Sequence, residues 1–227
     1  MQDTPLLVRD VMTGTVVAVE TGTPFKDVAR ALRLWHVSAL PVVDSAHHVL
    51  GIVSEADLLP KEEFRATAPD DHTLRRRGAD LARAGARTAE ELMTAPAVTA
   101  GENDTLAQAA RTMARCGVKR LPVVDPEGVL TGIVSRSDLL KVFLRADEDI
   151  AREVRREIVA VLFPESPEPV RVRVRDGVVT LTGAVRDTAL VPVAARLARA
   201  VPGVVDVECA LAGPRRRPDL DPDLPDG

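Results

Sequence analysis

Tyrosine is absent from this chain of 227 residues, tryptophan occurs once, and aromatic residues make up 2% of it. Single-stranded nucleic acid is held largely by stacking on such rings, so that device is missing. Neither sign of charge dominates: 30 basic and 34 acidic residues give a net charge of −4, with no basic segment of the kind that tracks a phosphate backbone. No nucleic-acid partner is expected. Lysine is confined to Lys26, Lys61, Lys119 and Lys141, and the remaining basic residues are arginine. No stretch approaches the roughly 18 uninterrupted apolar residues of a membrane span. The opening MQDTPLLVRD has neither the basic start nor the apolar stretch of a secretory signal, so a cytoplasmic location is expected. Two cysteines, Cys116 and Cys209, stand alone without a C-x-x-C pattern, and are expected to be buried thiols rather than a bridge or a metal site. His47 and His48 are adjacent, a spacing at which side chains rarely share one metal, and read as part of a solvated turn. There is no Ser/His/Asp set, no glycine-rich phosphate loop and no metal cluster, so the chain is not expected to be an enzyme.

What the chain does have is a repeat. Residues 39–59 read ALPVVDSAHHVLGIVSEADLL and residues 120–140 read RLPVVDPEGVLTGIVSRSDLL. The register holds without a gap over 8–59 against 89–140, with 18 identities in 52 positions. Met12 pairs with Met93, Leu40 with Leu121, Gly51 with Gly132 and Asp57 with Asp138. Two copies are too few for a solenoid. A duplicated module whose halves face each other, building two related clefts, is the better expectation.

Within the first copy, Val16–Val19 is a short β-branched run, and Thr23-Pro24 predicts a capped helix start with proline at its first position. Phe25, Val28, Ala29 and Leu32 recur at helical spacing and predict a buried face. Leu40–Val43 and Val49–Val53 predict short strands around the polar turn 44–48, and Ser54 opens a helix holding Ala56, Leu58 and Leu59. In the second copy Asp104 is the predicted cap and Leu106, Ala109, Ala110 and Met113 the apolar face. The order β-α-β-β-α, twice, predicts an α/β pair with helices on small sheets. The segment between them carries the Arg75–Arg77 run. Its charge suits a disordered linker, but Leu74, Leu81 and the alanines favour a partly helical connector.

The pattern changes beyond residue 147. Ile150, Val154, Ile158, Val161 and Leu162 predict an amphipathic helix ended by Pro164. VRVRVRDGVVTLTG then alternates strictly around Asp176-Gly177, a strong hairpin signal. Leu190, Val193, Ala194 and Leu197 mark a second helix over 188–200, Pro202-Gly203 closes it, and Val204–Leu211 makes a last strand. PRRRPDLDPDLPDG follows, proline-rich with alternating charge, and predicts disorder.

The paired LPVVD and GIVS-x-x-D-L-L signatures, each preceded by MT and a strand-like valine, resemble the CBS domain, a nucleotide-sensing module that works in tandem. The resemblance covers about residues 8–143. The α-β-β-α-β pattern with DGVVTLTGAV and VPGVVDVE resembles the BON domain, a small bacterial module often linked to phospholipid or envelope surfaces, over about residues 148–212. The expected organisation is a first CBS domain over 1–60, a connector over 61–88, a second CBS domain over 89–147, a small α+β BON-like domain over 148–212 and a tail over 213–227.

The repeated Ser-x-x-Asp lies at a strand-to-helix junction. Free backbone N–H groups at a helix start suit an anion, and a hydroxyl there can bond a ribose or phosphate oxygen. An aspartate three residues on can accept from two vicinal ribose hydroxyls, but would repel phosphate. Ser54 with Asp57, and Ser135 with Asp138, fit that division. The bland alternative is that both serines merely cap helices with the aspartates in the favourable first turn. The CBS resemblance implies that the motif lines a ligand cleft, the backbone of Leu40 and Leu121 and the side chains of Val17 and Val98 bordering an adenine. The copies differ in charge. Arg120 and Arg136 of the second stand where the first has Ala39 and Glu55, and Arg suits phosphate where Glu repels it. Lys119 beside Arg120 reads equally well as a surface cation. Arg171, Arg173 and Arg175 share one strand face, either the wet side of a half-buried sheet or an anionic-lipid stripe.

These readings together predict a cytoplasmic regulatory protein that senses an adenine nucleotide (AMP, ADP, ATP or S-adenosylmethionine) and requires no cofactor. By resemblance it dimerises through its CBS pairs, and its BON segment docks on a protein partner or an anionic phospholipid surface. The alternative is a non-catalytic scaffold with vestigial clefts that acts through the BON segment.

Overall fold

A computed structural model describes residues 6–64, 78–166 and 168–213. It divides into a unit spanning Leu6–Leu139 and a second unit that begins at Leu140. The Arg75–Arg77 run, Leu74 and the tail beyond Gly213 lie outside the described residues.

The first unit contains the helical turn α1 (Val8–Val11), β1 (Val19–Glu20), α2 (Phe25–Leu34), β2 (Ala39–Val43), β3 (Val49–Ser54) and α3 (Glu55–Glu63). A connector helix α4 (Gly78–Gly85) leads to the same series again: α5 (Ala89–Leu92), β4 (Ala100–Gly101), α6 (Leu106–Cys116), β5 (Arg120–Val124), β6 (Leu130–Ser135) and α7 (Arg136–Leu140). Each copy forms a three-stranded sheet with the long strands antiparallel and the short first strand parallel to the middle one. β2 is buried along its whole length, which is why its sequence is a continuous apolar run rather than an alternation. Pro41 is tolerated in this central strand for a specific reason. Its partner Ile52 turns both backbone groups outward to Thr94, so the N–H that proline lacks would point away from β3, and β1 pairs only with Val42 and Val43.

The two helix starts differ from the sequence expectation by one residue. Pro24 is the N-cap of α2 rather than its first residue, and Thr105, not Asp104, caps α6, its hydroxyl accepting from Gln108 N at 3.2 Å. Tertiary pairing accounts for both shifts. Pro24 is bridged to Thr88 and Thr105 to Leu7, which holds them extended until the following residue. Asp104 instead accepts from Gly101 N at 2.8 Å.

Those bridges belong to an exchange between the copies. Val8 of α1 is buried in the core of the second copy, with Ala100, Ala109, Met113, Leu121, Val123 and Val134. Ala89 and Leu92 of α5 are buried in the core of the first, with Val28, Leu32, Leu40, Val42 and Val53. Backbone bonds fasten the crossing: Thr13 N to Ile133 O at 2.9 Å and Ile133 N to Thr13 O at 3.0 Å, and reciprocally Thr94 N to Ile52 O at 2.9 Å and Ile52 N to Thr94 O at 3.1 Å. The hairpin tips join through Val49 N to Gly128 O and Leu130 N to His47 O. The repeated methionine and glycine meet across the same seam. A β-carbon on Gly51 would lie 2.5 Å from Met93 Sδ, and one on Gly132 2.5 Å from Met12 Sδ. Glycine is needed there because the other copy approaches so closely. In the first hairpin turn Asp44 accepts from Ala46 N and His48 N, both at 2.9 Å, and its second oxygen lies 3.0 Å from His48 Nδ1. The His48 backbone N–H, foremost among these, pulls the carboxyl below its usual range.

In the second unit a 3₁₀ turn (Lys141–Leu144) precedes helix α8, which runs as Asp147–Glu153, a π turn Val154–Val159 and a last α-turn Ala160–Leu162. Residues four apart drift by roughly 40° per step around a regular α-helix. The wider π turn offsets that drift, and Ile150, Val154 and Ile158 are all buried. Val161, placed by sequence on this face, is exposed. β7 (Arg171–Arg175) and β8 (Val178–Ala184) are antiparallel, and β9 (Asp206–Ala212) runs parallel to β8. A 3₁₀ turn (Thr188–Leu190) leads into helix α9 (Val191–Ala200), which contributes Ala194 and Ala198 to the core while Leu197 is exposed. Asp176 and Gly177 both have positive φ, 51° and 75°, as a tight hairpin turn requires. Asp147 fastens that turn from the start of α8, its oxygens accepting from Asp176 N at 2.8 Å and Gly177 N at 2.9 Å.

Both cysteines are exposed free thiols, contrary to the expected burial: Cys116 is the last residue of α6, beyond the buried Met113, and Cys209 shares the face of β9 that carries Val207 and Leu211 but is left uncovered.

Candidate functional site

Ser54 ends β3 in extended conformation (φ −117°, ψ 165°) and is the N-cap of α3. Asp57 folds back on it. One carboxylate oxygen, Oδ2, accepts from Ser54 N at 2.7 Å and from Ser54 Oγ at 2.7 Å. The second copy repeats this: Asp138 Oδ2 accepts from Ser135 N at 2.9 Å and from Ser135 Oγ at 2.6 Å, and Asp138 N donates to Ser135 Oγ at 3.3 Å. Both motifs therefore form capping boxes, and each carboxylate is held in a defined orientation by charge-assisted bonds. Capping does not exhaust the group, since two carboxylate oxygens offer about four acceptor positions.

At the first box the other oxygen is already engaged. Arg83 of the connector helix α4 places Nε 3.1 Å from Asp57 Oδ1, with the two side chains 23% and 13% exposed. The same guanidinium donates to Thr94 Oγ1 at 3.1 Å and to Leu92 O at 3.4 Å. Sequence reasoning missed Arg83, which is one arginine among many in an Ala/Arg-rich stretch.

Of the charged residues that distinguish the copies, Arg120 reaches across to the other copy and Arg136 stays with its own. Arg120, at the start of β5, reaches across to the first copy and donates to Ser38 Oγ. Burial pulls its guanidinium below its usual range, opposed by the negative charges of Glu55 and Asp138. Arg120 thus stands between the acidic residue of one box and the flank of the other. Arg136 is exposed and turns its guanidinium to Val118 O at 3.1 Å, while its backbone N–H donates to Lys119 O at 3.0 Å. Lys119 is exposed.

Leu40 and Leu121 are fully buried with their side chains in the two cores, so only their backbone can border a ligand. Val17 and Val98 are half-buried against the first and second cores respectively. A depression of about 440 Å3 is lined by Val17 and its neighbours together with Leu130 and Thr131 of the other copy. Another, about 520 Å3, opens at Ser38, Glu55 and Leu58. Among the described residues no group of three or more His, Cys, Asp or Glu is placed to hold a metal ion. No helix among them is long and apolar enough to cross a membrane. In the second unit Arg171, Arg173 and Arg175 are all exposed on one face of β7, with Val172 buried on the other.

The CBS domain family matches residues 8–61 and 89–145, and the BON domain family matches residues 146–212. The chain is 30% identical over 155 residues to an uncharacterized protein of Methanocaldococcus jannaschii, which covers 61% of this chain and 92% of the relative. It is 30% identical over 136 residues to an uncharacterized protein of Methanopyrus kandleri, of which it spans 58%. Among solved structures it is similar to CBSX2 in complex with AMP, with TM-score 0.54 and 28% identity over 61% of this chain and 96% of that one. The chain belongs to the CBS-domain proteins: it is a tandem CBS pair followed by a BON domain.

Proposed function

We propose that the protein is a non-catalytic regulator whose CBS pair binds an adenine nucleotide at the Ser54/Asp57 and Ser135/Asp138 boxes and whose BON unit carries the response to a partner surface. The observation behind this reading is that both boxes hold a carboxylate pre-oriented beside a helix start, in a pair similar to one solved with AMP. In each box the aspartate accepts the ribose hydroxyls and the backbone of Leu40 or Leu121, with Val17 or Val98, borders the base. Arg120 and Arg136 are the candidates for phosphate. Arg120 is the stronger of the two, because it is already partly desolvated between the copies, where a charge-assisted bond counts for more. AMP, ADP, ATP and S-adenosylmethionine are the ligands to test, and the expected assembly is a homodimer through the CBS pairs.

Calorimetric titration of these ligands decides the matter. Asp138→Ala is expected to weaken binding at the second box by about 1.5–3 kcal/mol, the range for hydrogen bonds to a charged group. Arg120→Ala should weaken AMP more than adenosine. Unchanged affinity in an Asp57→Ala/Asp138→Ala double variant would sink the reading. The alternative, a scaffold with unused clefts, is favoured by the occupation of Asp57 by Arg83, and predicts no heat with any of the four ligands.

A further inference from the structure

The connector is not an inert tether, because one of its side chains sits on the ligand-binding carboxylate. Asp57 Oδ2 is taken up by Ser54, and Oδ1 faces Arg83 Nε at 3.1 Å. Both side chains are mostly withdrawn from water. Arg83 is held from further sides as well, by Thr94 Oγ1 at 3.1 Å, Leu92 O at 3.4 Å and, within its own helix, Asp80 Oδ1 at 3.7 Å. α4 is also fastened beside α3 at its end, where Lys61 Nζ donates to Ala84 O at 2.9 Å. The guanidinium is thus clamped over the first box by the helix that carries it and by the α5 segment that completes the first core.

We propose that α4 gates the first box: Arg83 is an intramolecular competitor for the Asp57 carboxylate, and a nucleotide enters only when α4 releases it. The inference rests on the nucleotide reading above and adds the device that controls one site. With Oδ2 already accepting from the Ser54 N–H and O–H, a vicinal diol must place both its donors on Oδ1, the oxygen that Arg83 engages. The diol is neutral whereas the guanidinium is charged, so the closed state excludes the ligand. If the open state is populated at about one part in ten, the apparent affinity is about tenfold below that of the open box. By the same linkage, ligand in the first box drives α4 off Asp57, so occupancy of a cleft becomes a change in the position of the connector.

The test isolates the first box by working in the full-length Asp138→Ala protein, with AMP as probe. Arg83→Ala added to that background is expected to tighten AMP binding about tenfold, and Arg83→Lys, which keeps the charge but cannot span Asp57 and Thr94 together, less than that. Saturating AMP should also speed amide hydrogen exchange across 78–85 in the Asp138→Ala protein, where Arg83 is intact. Equal or weaker binding in Arg83→Ala, or unchanged exchange in α4 at saturation, overturns the gate while leaving the nucleotide reading standing. Absence of AMP binding in every protein, wild type included, overturns both. If Arg83→Ala abolishes the cooperative thermal transition, the exchange measurement decides alone.

Discussion

At the scale of single residues, the site depends on a few groups with two tasks. Ser54 and Ser135 end strands and cap helices, and by the same bonds they orient Asp57 and Asp138. The capping and binding interpretations of Ser-x-x-Asp are compatible, because the two carboxylate oxygens offer about four acceptor positions. The recurrence of the motif was visible in the sequence. The pairing of Asp57 with Arg83 and of Arg120 with Ser38 was not, since each joins residues whose neighbourhood only the folded chain creates. The glycines of the seam provide a residue-scale prediction. Gly132→Ala forces a β-carbon to within 2.5 Å of Met12 Sδ, and is expected to cost about 1–3 kcal/mol as an overpacked contact. Met12→Ala in the same chain should recover part of that loss. Denaturant unfolding of the two single variants and the double variant measures the coupling.

At the scale of elements, local patterns named the β-α-β-β-α order of each copy but not the leading turns α1 and α5, and misjudged where two helices begin. The one-residue shift at Pro24 and Thr105 comes from bridges to Thr88 and Leu7, residues 64 and 98 positions away in sequence. No cap rule contains such partners. The π turn in α8 is likewise a response to packing, keeping Val154 and Ile158 in the core at the cost of a regular register. The hairpin 171–184 was legible because alternation and Asp-Gly are local signals. Its anchor was not: Asp147 reaches the turn from 29 positions upstream. Asp147→Ala should therefore destabilise the second unit by about 1–3 kcal/mol by leaving two backbone donors without that acceptor, with faster amide exchange at Asp176 and Gly177 as the specific readout.

At the scale of the whole molecule, the described residues form two separate cores in the CBS pair and a third in the C-terminal unit. The third is expected to unfold as its own cooperative step, because roughly 65–70 residues can just support a core alone. Calorimetry of the full chain should show two transitions, and Asp147→Ala should move only one of them. If that unit meets an anionic lipid surface, Arg171, Arg173 and Arg175 are the exposed cations on its sheet. Vesicle binding should then fall steeply with salt, since exposed charges are screened beyond roughly 8 Å at physiological ionic strength. Salt-independent capture would point to a protein partner instead.

The sequence by itself determined the duplication, the β-α-β-β-α order within each copy, the α/β class, the Asp-Gly hairpin and the identity of the two boxes. All of these rest on periodicity, repetition or contacts between near neighbours in the chain. Only the tertiary structure decided that the leading turn of each copy completes the core of the other, with Val8 in the second and Leu92 in the first. It also decided which groups meet, setting Arg120 on Ser38 and Arg83 on Asp57. A charged side chain reads as surface wherever it stands in a sequence. Its partner is chosen by which segments the burial of apolar residues brings together, and that is a property of the whole chain.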